Sequence, residues 1–175
     1  MTKHTVILRA VEIKDCSLIY EYENDTTAWN DGISNRFYSL HAIEQYVLNT
    51  QNDDIFATQQ LRLMIDIEQG NKRFTIGCVD LYDMDFKNHK AGIGIYIDKS
   101  FRGNGYAKSS LLELEKYAFE VLNLHQLYAF VSQSNAVSNA LFSDCDFTLT
   151  ATLPDWLQTS NQYHNVNVYQ KKNNH

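Results

Sequence analysis

Two hydrophobic rhythms run along this chain of 175 residues. Leu61, Leu63, Ile65 and Ile67 fall on every second position, the period of a strand with one buried face. Leu111, Leu114, Ala118, Val121 and Leu122 follow a spacing near 3.6, the period of a helix with one buried stripe. Reading the rest in the same way predicts a first strand over Thr5–Arg9. A helix capped by Asp15 follows, with Leu18, Ile19 and Tyr22 on one face. Asn30-Asp31-Gly32 reads as a loop, and Ser39 caps a second helix that turns Ile43, Tyr46 and Val47 inward. The alternating strand turns at Gly70-Asn71 into a partner over Phe74–Tyr82. A second turn over Asp83–His89 leads into Ala91–Asp98. A long helix over Tyr106–Leu122, a buried strand over Gln126–Ser132 and a short helix over Ala136–Cys145 come next. Phe147–Trp156 and Val166–Gln170 close the chain as a hairpin across the polar turn Thr159–Gln162.

The element order is β-α-α-β-β-β-α-β-α-β-β. It predicts a single domain over residues 1–175 of the α/β (α+β) class, built on a mixed sheet. A doubly wound nucleotide fold is excluded, because three hairpin-linked strands stand in succession before the long helix.

Charge and composition narrow the function. Net charge is −6, which argues against a nucleic-acid partner, since that affinity rests on clustered Lys and Arg. No apolar run approaches the roughly 18 residues of a membrane span, and no signal-peptide core opens the chain, so a cytoplasmic protein without a membrane partner is expected. Cys16, Cys78 and Cys145 are widely spaced and fit a reducing compartment. With no CxxC and no histidine pair at ligand spacing, no metal is expected. Between Glu12 and Asp54 there are nine acidic residues and two basic ones. That run is either the solvated face of two helices or a surface that draws a cationic acceptor.

The sharpest chemical signal is Arg102-Gly103-Asn104-Gly105-Tyr106-Ala107. It follows the strand Gly92–Ile97 and opens the long helix, so its amides gather at a positive helix end, where a pyrophosphate fits. A nucleotide triphosphatase loop needs G-x-x-x-x-G-K-[ST], and a dinucleotide loop needs G-x-G-x-x-G; here the third glycine position of the latter is Lys108. What remains is R-G-x-G-x-A. Its plain reading is a tight strand-to-helix turn. Its functional reading resembles the acetyl-coenzyme A loop of the GNAT N-acetyltransferases, [QR]-x-x-G-x-[GA], with Arg102, Gly105 and Ala107 on the fixed positions.

The likeness extends over nearly the whole chain. Leu8-Arg9-Ala10 with Asp15, the polar pair Asn30-Asp31, and Ile76-Gly77-Cys78-Val79 followed by Ala91-Gly92-Ile93-Gly94 come in the expected order. So do Leu122-Asn123-Leu124-His125-Gln126-Leu127, Asn135 with Ser138, and Gln162-Tyr163-His164-Asn165-Val166. Together they resemble the branch that includes ribosomal-protein alanine N-acetyltransferases and spermidine N-acetyltransferases. The resemblance implies the GNAT acyl-CoA N-acyltransferase fold, a mostly antiparallel seven-stranded sheet with four helices and a splayed central strand pair. It also implies acetyl transfer from acetyl-CoA to a primary amine by direct attack in a ternary complex. The acceptor is then a small cationic amine, such as a polyamine or amino sugar, or a peptide N-terminus. A coenzyme-binding module of weak activity is the third reading. Either a monomer or a homodimer fits.

In the coenzyme site so implied, backbone N–H groups of Gly103, Asn104, Gly105, Tyr106 and Ala107 hold the pyrophosphate, and Arg102 either adds charge or packs. Backbone groups of Ile95, Tyr96 and Ile97 meet the pantetheine and the oxyanion. Asn135 lies beside the pantetheine, caps the following helix, or does both. Gly92 and Gly94 suit either a bulge that opens the gap or close packing. The proton route departs from the family pattern. Phe142 stands where many relatives carry a tyrosine acid, Gly92 where many carry a glutamate, and Asp144-Cys145-Asp146-Phe147 replaces K-x-G-F. Water relays the protons, or Tyr96, Asp80, Ser138 or Tyr128 substitutes.

Overall fold

The computed structural model describes residues 5–27, 36–51, 54–159 and 161–173. Seven strands form one sheet in the order β1-β2-β3-β4-β5-β7-β6. They are β1 (Val6–Ala10), β2 (Leu61–Gln69), β3 (Lys72–Asp85), β4 (Lys90–Ile97), β5 (Gln126–Ser132), β6 (Thr148–Thr159) and β7 (Gln162–Lys172). Helices α1 (Cys16–Glu23) and α2 (Leu40–Thr50) precede β2. A one-turn helix, α3 (Ile55–Thr58), is an addition to the four expected. α4 (Tyr106–Lys116) joins β4 to β5, and α5 (Ala136–Asp144) joins β5 to β6. Every neighbouring pair is antiparallel except β4 with β5. The expected loop Asn30-Asp31-Gly32 lies outside the described residues.

Strand alternation sorts side chains onto two covered faces. Ile65, Ile67, Val79, Leu81, Ile93, Leu127 and Ala129 pack with Leu111, Leu114 and Phe142 beneath α4 and α5. Met64, Cys78 and Tyr96 pack with Ile19, Tyr22, Ile43 and Val47 beneath α1 and α2. β2 is therefore buried on both faces rather than one. Its inward polar residue, Asp66, is held by Arg9 at 2.8 Å and Thr75 at 2.8 Å.

Local chemistry explains most element ends. Ser39 Oγ accepts from the Ala42 amide at 3.1 Å, which fixes the start of α2. Asp15 does not cap α1. Both its oxygens bind the Arg9 guanidinium, at 2.7 and 2.8 Å, and one also takes the Glu12 amide. The long helix is shorter than its periodicity suggests. After Lys116 the chain makes a π turn over Tyr117–Val121, whose wider pitch swings Val121 out to 66% exposure.

Candidate functional site

The glycine loop owes its shape to backbone dihedrals. Gly103 has φ +77° and Gly105 has φ +78°, a region that side chains with a Cβ resist. Gly105 is the N-cap of α4 and has no side chain to cap with, so amides at the start of the helix are left for an outside acceptor. The amides of Gly103, Asn104 and Gly105 have no hydrogen-bond acceptor among the described residues. Asn104 braces the loop by donating to the carbonyls of Phe101 and Arg102, at 3.2 and 3.1 Å. Arg102 packs back on β4. Its Nε donates to the Ile97 carbonyl at 2.8 Å, and its guanidinium lies 5.4 Å from the Tyr96 ring centre. The Tyr106 side chain turns into the core, so only its backbone faces the loop.

Next to this loop the sheet divides. β4 and β5 pair only over Lys90↔Gln126, Ala91↔Leu127 and Gly92↔Tyr128, then part. From there β5 continues paired with β7 alone, through Ser132↔Val166. A bulge at Gly92 or Gly94 does not cause the split, because β3 and β4 stay in register from Gly77↔Ile97 to Tyr82↔Gly92. The irregularity lies beyond, between Tyr82 and Asp85, where Asp83 has φ +46°. Gly92 is small because the Tyr82 ring lies over it. A Cβ there would come within 2.3 Å of that ring.

The ladder also decides which amides face the gap. A Cβ on Gly77 would meet the Tyr96 carbonyl oxygen at 2.1 Å, and the Asp98 amide donates to Ile76 at 2.8 Å. Tyr96 therefore directs its backbone to β3, and by alternation Ile95 and Ile97 direct theirs to the gap. Of the three residues assigned to the pantetheine, Tyr96 can take part only through its side chain.

On the α1–α2 face the gap opens into a cavity of about 430 Å³, lined by Gly94, Ile95, Tyr96, Phe130 and Trp156 among others. A second cavity of about 590 Å³ lies between α2 and the β2–β3 hairpin. Glu23, Arg62, Asp80 and Tyr82 line both. Arg62 binds Asp80 through Nε at 2.7 Å and Nη2 at 3.0 Å, and Glu23 through Nη1 at 2.6 Å. Burial alone would lower the guanidinium pKa, but Asp80 holds it well above its ordinary value.

A protein-family model described as acetyltransferase (GNAT) domain matches residues 5–148. The chain belongs to the GNAT acetyltransferase family. The spermidine N(1)-acetyltransferase of Vibrio cholerae is 24% identical over 159 residues, covering 91% of this chain and 88% of that protein. The Bacillus subtilis protein YdaF, whose name assigns it to ribosomal N-acetylation, is 30% identical over 93 residues, covering 53% of this chain and 51% of its own. The crystal structure of the Vibrio cholerae spermidine N-acetyltransferase with CoA and spermine superposes with a TM-score of 0.85 at 23% identity, covering 95% of each chain. The fold is thus the GNAT fold expected from the sequence, and the protein is a GNAT N-acetyltransferase with acetyl-CoA as co-substrate.

This GNAT chain distributes its sequence-predicted site residues unevenly. Asn135 caps α5, its Oδ1 accepting from the Ser138 amide at 3.0 Å. Asn139 then ties that helix to the sheet. Its amide donates to the carbonyls of Ser132 and Asn135 and accepts from Asn167 and Tyr169. Ser138 lies on α5, behind the sheet, and lines neither cavity. Phe142 is 3% exposed and packs against the rings of Phe147 and Tyr169. Asp80 faces the cavity with both oxygens on Arg62. The Tyr96 hydroxyl donates to Asp25 at 3.0 Å, and Lys99 binds the other oxygen of that carboxylate at 2.9 Å. Burial and this bond both raise the Tyr96 phenol pKa. Tyr128 stands at the fork, with Tyr82 edge-on at 6.1 Å.

Sequence reasoning missed Arg62, Tyr82 and Trp156, and held Glu23 only as one of the acidic residues between Glu12 and Asp54. The register shift between Leu153 and Leu157 places Trp156. Pro154 lacks an N–H, and Asp155 sits at φ +50° with its amide on Asn165 Oδ1. The resulting bulge aims Trp156 at the cavity and leaves it 62% exposed.

Proposed function

We propose that this enzyme transfers the acetyl group of acetyl-CoA to the primary amine of a small cationic acceptor, by direct attack in a ternary complex. One observation carries the reading. A glycine loop whose Gly103, Asn104 and Gly105 amides have no acceptor among the described residues adjoins a parted β4–β5 pair, and the gap opens on the opposite face into an aromatic cavity bearing Glu23 and Asp80. The amides of Gly103, Asn104, Gly105, Tyr106 and Ala107 would hold the pyrophosphate at the positive end of α4. Ile95 would offer its gap-facing N–H and C=O and Ile97 its N–H to the pantetheine amides, as an added strand does, the Ile97 carbonyl being held by Arg102. Asn135 would stand at the end of β5 beside that arm.

The acceptor enters from the α1–α2 side. Arg62 binds both Glu23 and Asp80, so two carboxylates and one guanidinium stand together at the cavity, an arrangement that suits an ammonium acceptor. An alkyl amine titrates near about 10 and must lose its proton before it attacks. The Vibrio cholerae relative is named for spermidine, and its structure holds spermine, so polyamines head the candidates, with amino sugars next. A second reading is a peptide N-terminus, favoured by the 590 Å³ cavity beside the first and by the likeness to YdaF. The three cysteines are free and buried, which suits the reducing cytoplasm.

Thiol release from acetyl-CoA, measured with spermidine, amino sugars and N-terminal peptides, tests this. Turnover on the small amines with kcat/KM at least about tenfold above the peptides supports the first reading. Preference for peptides supports the second. Tight acetyl-CoA binding with no turnover on any amine leaves only a coenzyme-binding module.

A further inference from the structure

Moving an acetyl group from a thioester to an amine needs a proton at the departing sulfur and the removal of one from the attacking nitrogen. Phe142 offers none. Most polar groups around the cavity are engaged. Asp80 and Glu23 hold Arg62, Tyr96 donates to Asp25, and Ser132 bonds Ser134. Burial pushes the Cys78 thiol up to about 12, despite Arg62 nearby, so at the cavity wall it stays a protonated thiol.

Two phenols remain. The Tyr22 ring lies 4.7 Å from the Tyr96 ring inside the cluster under α1 and α2. Tyr82 is placed differently. It sits on β3 directly across from Gly92, with its ring spread over that glycine. Gly92 is also the last β4 residue paired with β5, so the phenol lies at the fork where the gap begins. The Phe130 backbone amide, on β5, interacts with the phenol from beyond the gap. Among the described residues no group accepts a hydrogen bond from the Tyr82 hydroxyl. Burial raises its pKa, and Tyr128 and Asp83 add to the rise, so the phenol is protonated at neutral pH.

We propose that Tyr82 is the proton donor to the departing sulfur and the acceptor of the proton shed by the amine. The role rests on the acetyl-transfer reading above. The amine attacks as its free base, the ammonium proton having left to solvent; its lone pair forms the C–N bond, and the C–S bond breaks with its electron pair going to sulfur. Sulfur takes the Tyr82 proton, and the phenolate takes the proton from nitrogen. Amide and thiol leave, Tyr82 is restored, and no further reactant is needed. Gly92 belongs to the same device, because any larger residue would displace the ring.

The test is Tyr82→Phe, which keeps the ring over Gly92 and removes only the hydroxyl. The expected result is a kcat about 100-fold lower, the size of general acid–base assistance. Acetyl-CoA affinity by calorimetry and the melting temperature should stay near wild type. A kcat within about threefold of wild type overturns the proposal. So does a parallel loss of acetyl-CoA affinity, which would mark a packing role, or a larger kcat loss in Tyr22→Phe. Failure of the wild type on every amine, with acetyl-CoA still bound, overturns the acetyl-transfer reading and this role with it; turnover unaffected by Tyr82→Phe overturns this role alone.

Discussion

The two sides of the parted strands are made of different material. On the α4 side the site is main chain, with glycines at positive φ, amides at a helix start and the exposed backbone edge of β4. On the α1–α2 side it is side chain, with Glu23 from α1, Arg62 from β2, Asp80 and Tyr82 from β3, Phe130 from β5 and Trp156 from β6. A coenzyme of constant structure can be read by backbone geometry that any member of the family repeats. An acceptor that differs between relatives must be read by side chains, which vary without disturbing the ladder. Damage on the first side should therefore appear in coenzyme affinity, and damage on the second in stability and amine selectivity.

Arg62→Ala should break that division most severely. Its side chain is 16% exposed and neutralises two carboxylates that are themselves mostly covered. Removing it takes the guanidinium from both carboxylates, with a stability loss of about 3 kcal/mol expected in urea unfolding. Replacing Arg62, Glu23 and Asp80 together with apolar residues of similar size should recover most of that loss. Acetyl-CoA affinity of the folded Arg62→Ala fraction should change less than about twofold, on the logic that distant sites act independently. A large affinity loss would mean the two sides are coupled.

Gly105→Val is the complementary experiment. A β-branched residue at φ +78° is strained by about 1–2 kcal/mol, and its Cβ stands at the helix mouth. Acetyl-CoA affinity should fall about 10- to 100-fold by calorimetry, with kcat at saturating coenzyme much less affected. An unchanged affinity would remove the pyrophosphate from this loop.

The same division explains what could be read from the sequence. Gly103 and Gly105 announce their loop because a positive φ and a short spacing form a local pattern. Ser39 and Asn135 announce helix starts because a cap acts three residues away. Asp15 carries the same local signal, yet Arg9 claims it from the neighbouring strand. Gly92 was open to two readings, and the choice depends on Tyr82, ten residues back and across a strand ladder. Arg62 and its carboxylates come from three elements, so no window of sequence contains the site. Trp156 did leave a trace, since Pro154-Asp155 inside a strand pattern marks an edge strand with a bulge.

Trp156→Ala is expected to have a smaller effect. Trp156 and Phe130 form an aromatic wall of the 430 Å³ cavity, so the loss would be confined to one surface of an acceptor bound there. Amine kcat/KM should drop about tenfold, in the range of a lost hydrophobic or cation–π contact. Acetyl-CoA affinity and melting temperature should hold, because Trp156 is largely exposed. An equal loss for every amine tested would mark a general gate rather than a selective wall.

Acid titration gives the smallest effect and separates the two faces by sign. Burial alone would raise Asp25, but hydrogen bonds from Lys99, Thr27 and Tyr96 hold it well below the usual carboxylate range. Asp15 is likewise lowered, with Arg9 and the Glu12 amide outweighing burial. Both belong to the α1 side. Groups lowered on folding contribute stability above about pH 4 and lose it as pH falls through their folded values. Glu115, on α4, moves the other way. Burial raises it against the pull of Lys171, and its Oε1 is buried with no hydrogen-bond partner among the described residues. A carboxyl raised on folding opposes folding above its folded value, and that opposition is relieved as pH falls. Lowering pH from 7 toward 3 should therefore loosen the α1–α2 face first while α4 holds. Amide hydrogen exchange would show lost protection in α1 before α4, and Asp25→Asn should flatten the acid limb of the stability curve. Glu115→Gln should flatten the opposite slope, which lies above the ordinary glutamate range. Simultaneous loss of protection in α1 and α4 would show that the two faces melt as one unit, and that their different construction has no counterpart in stability.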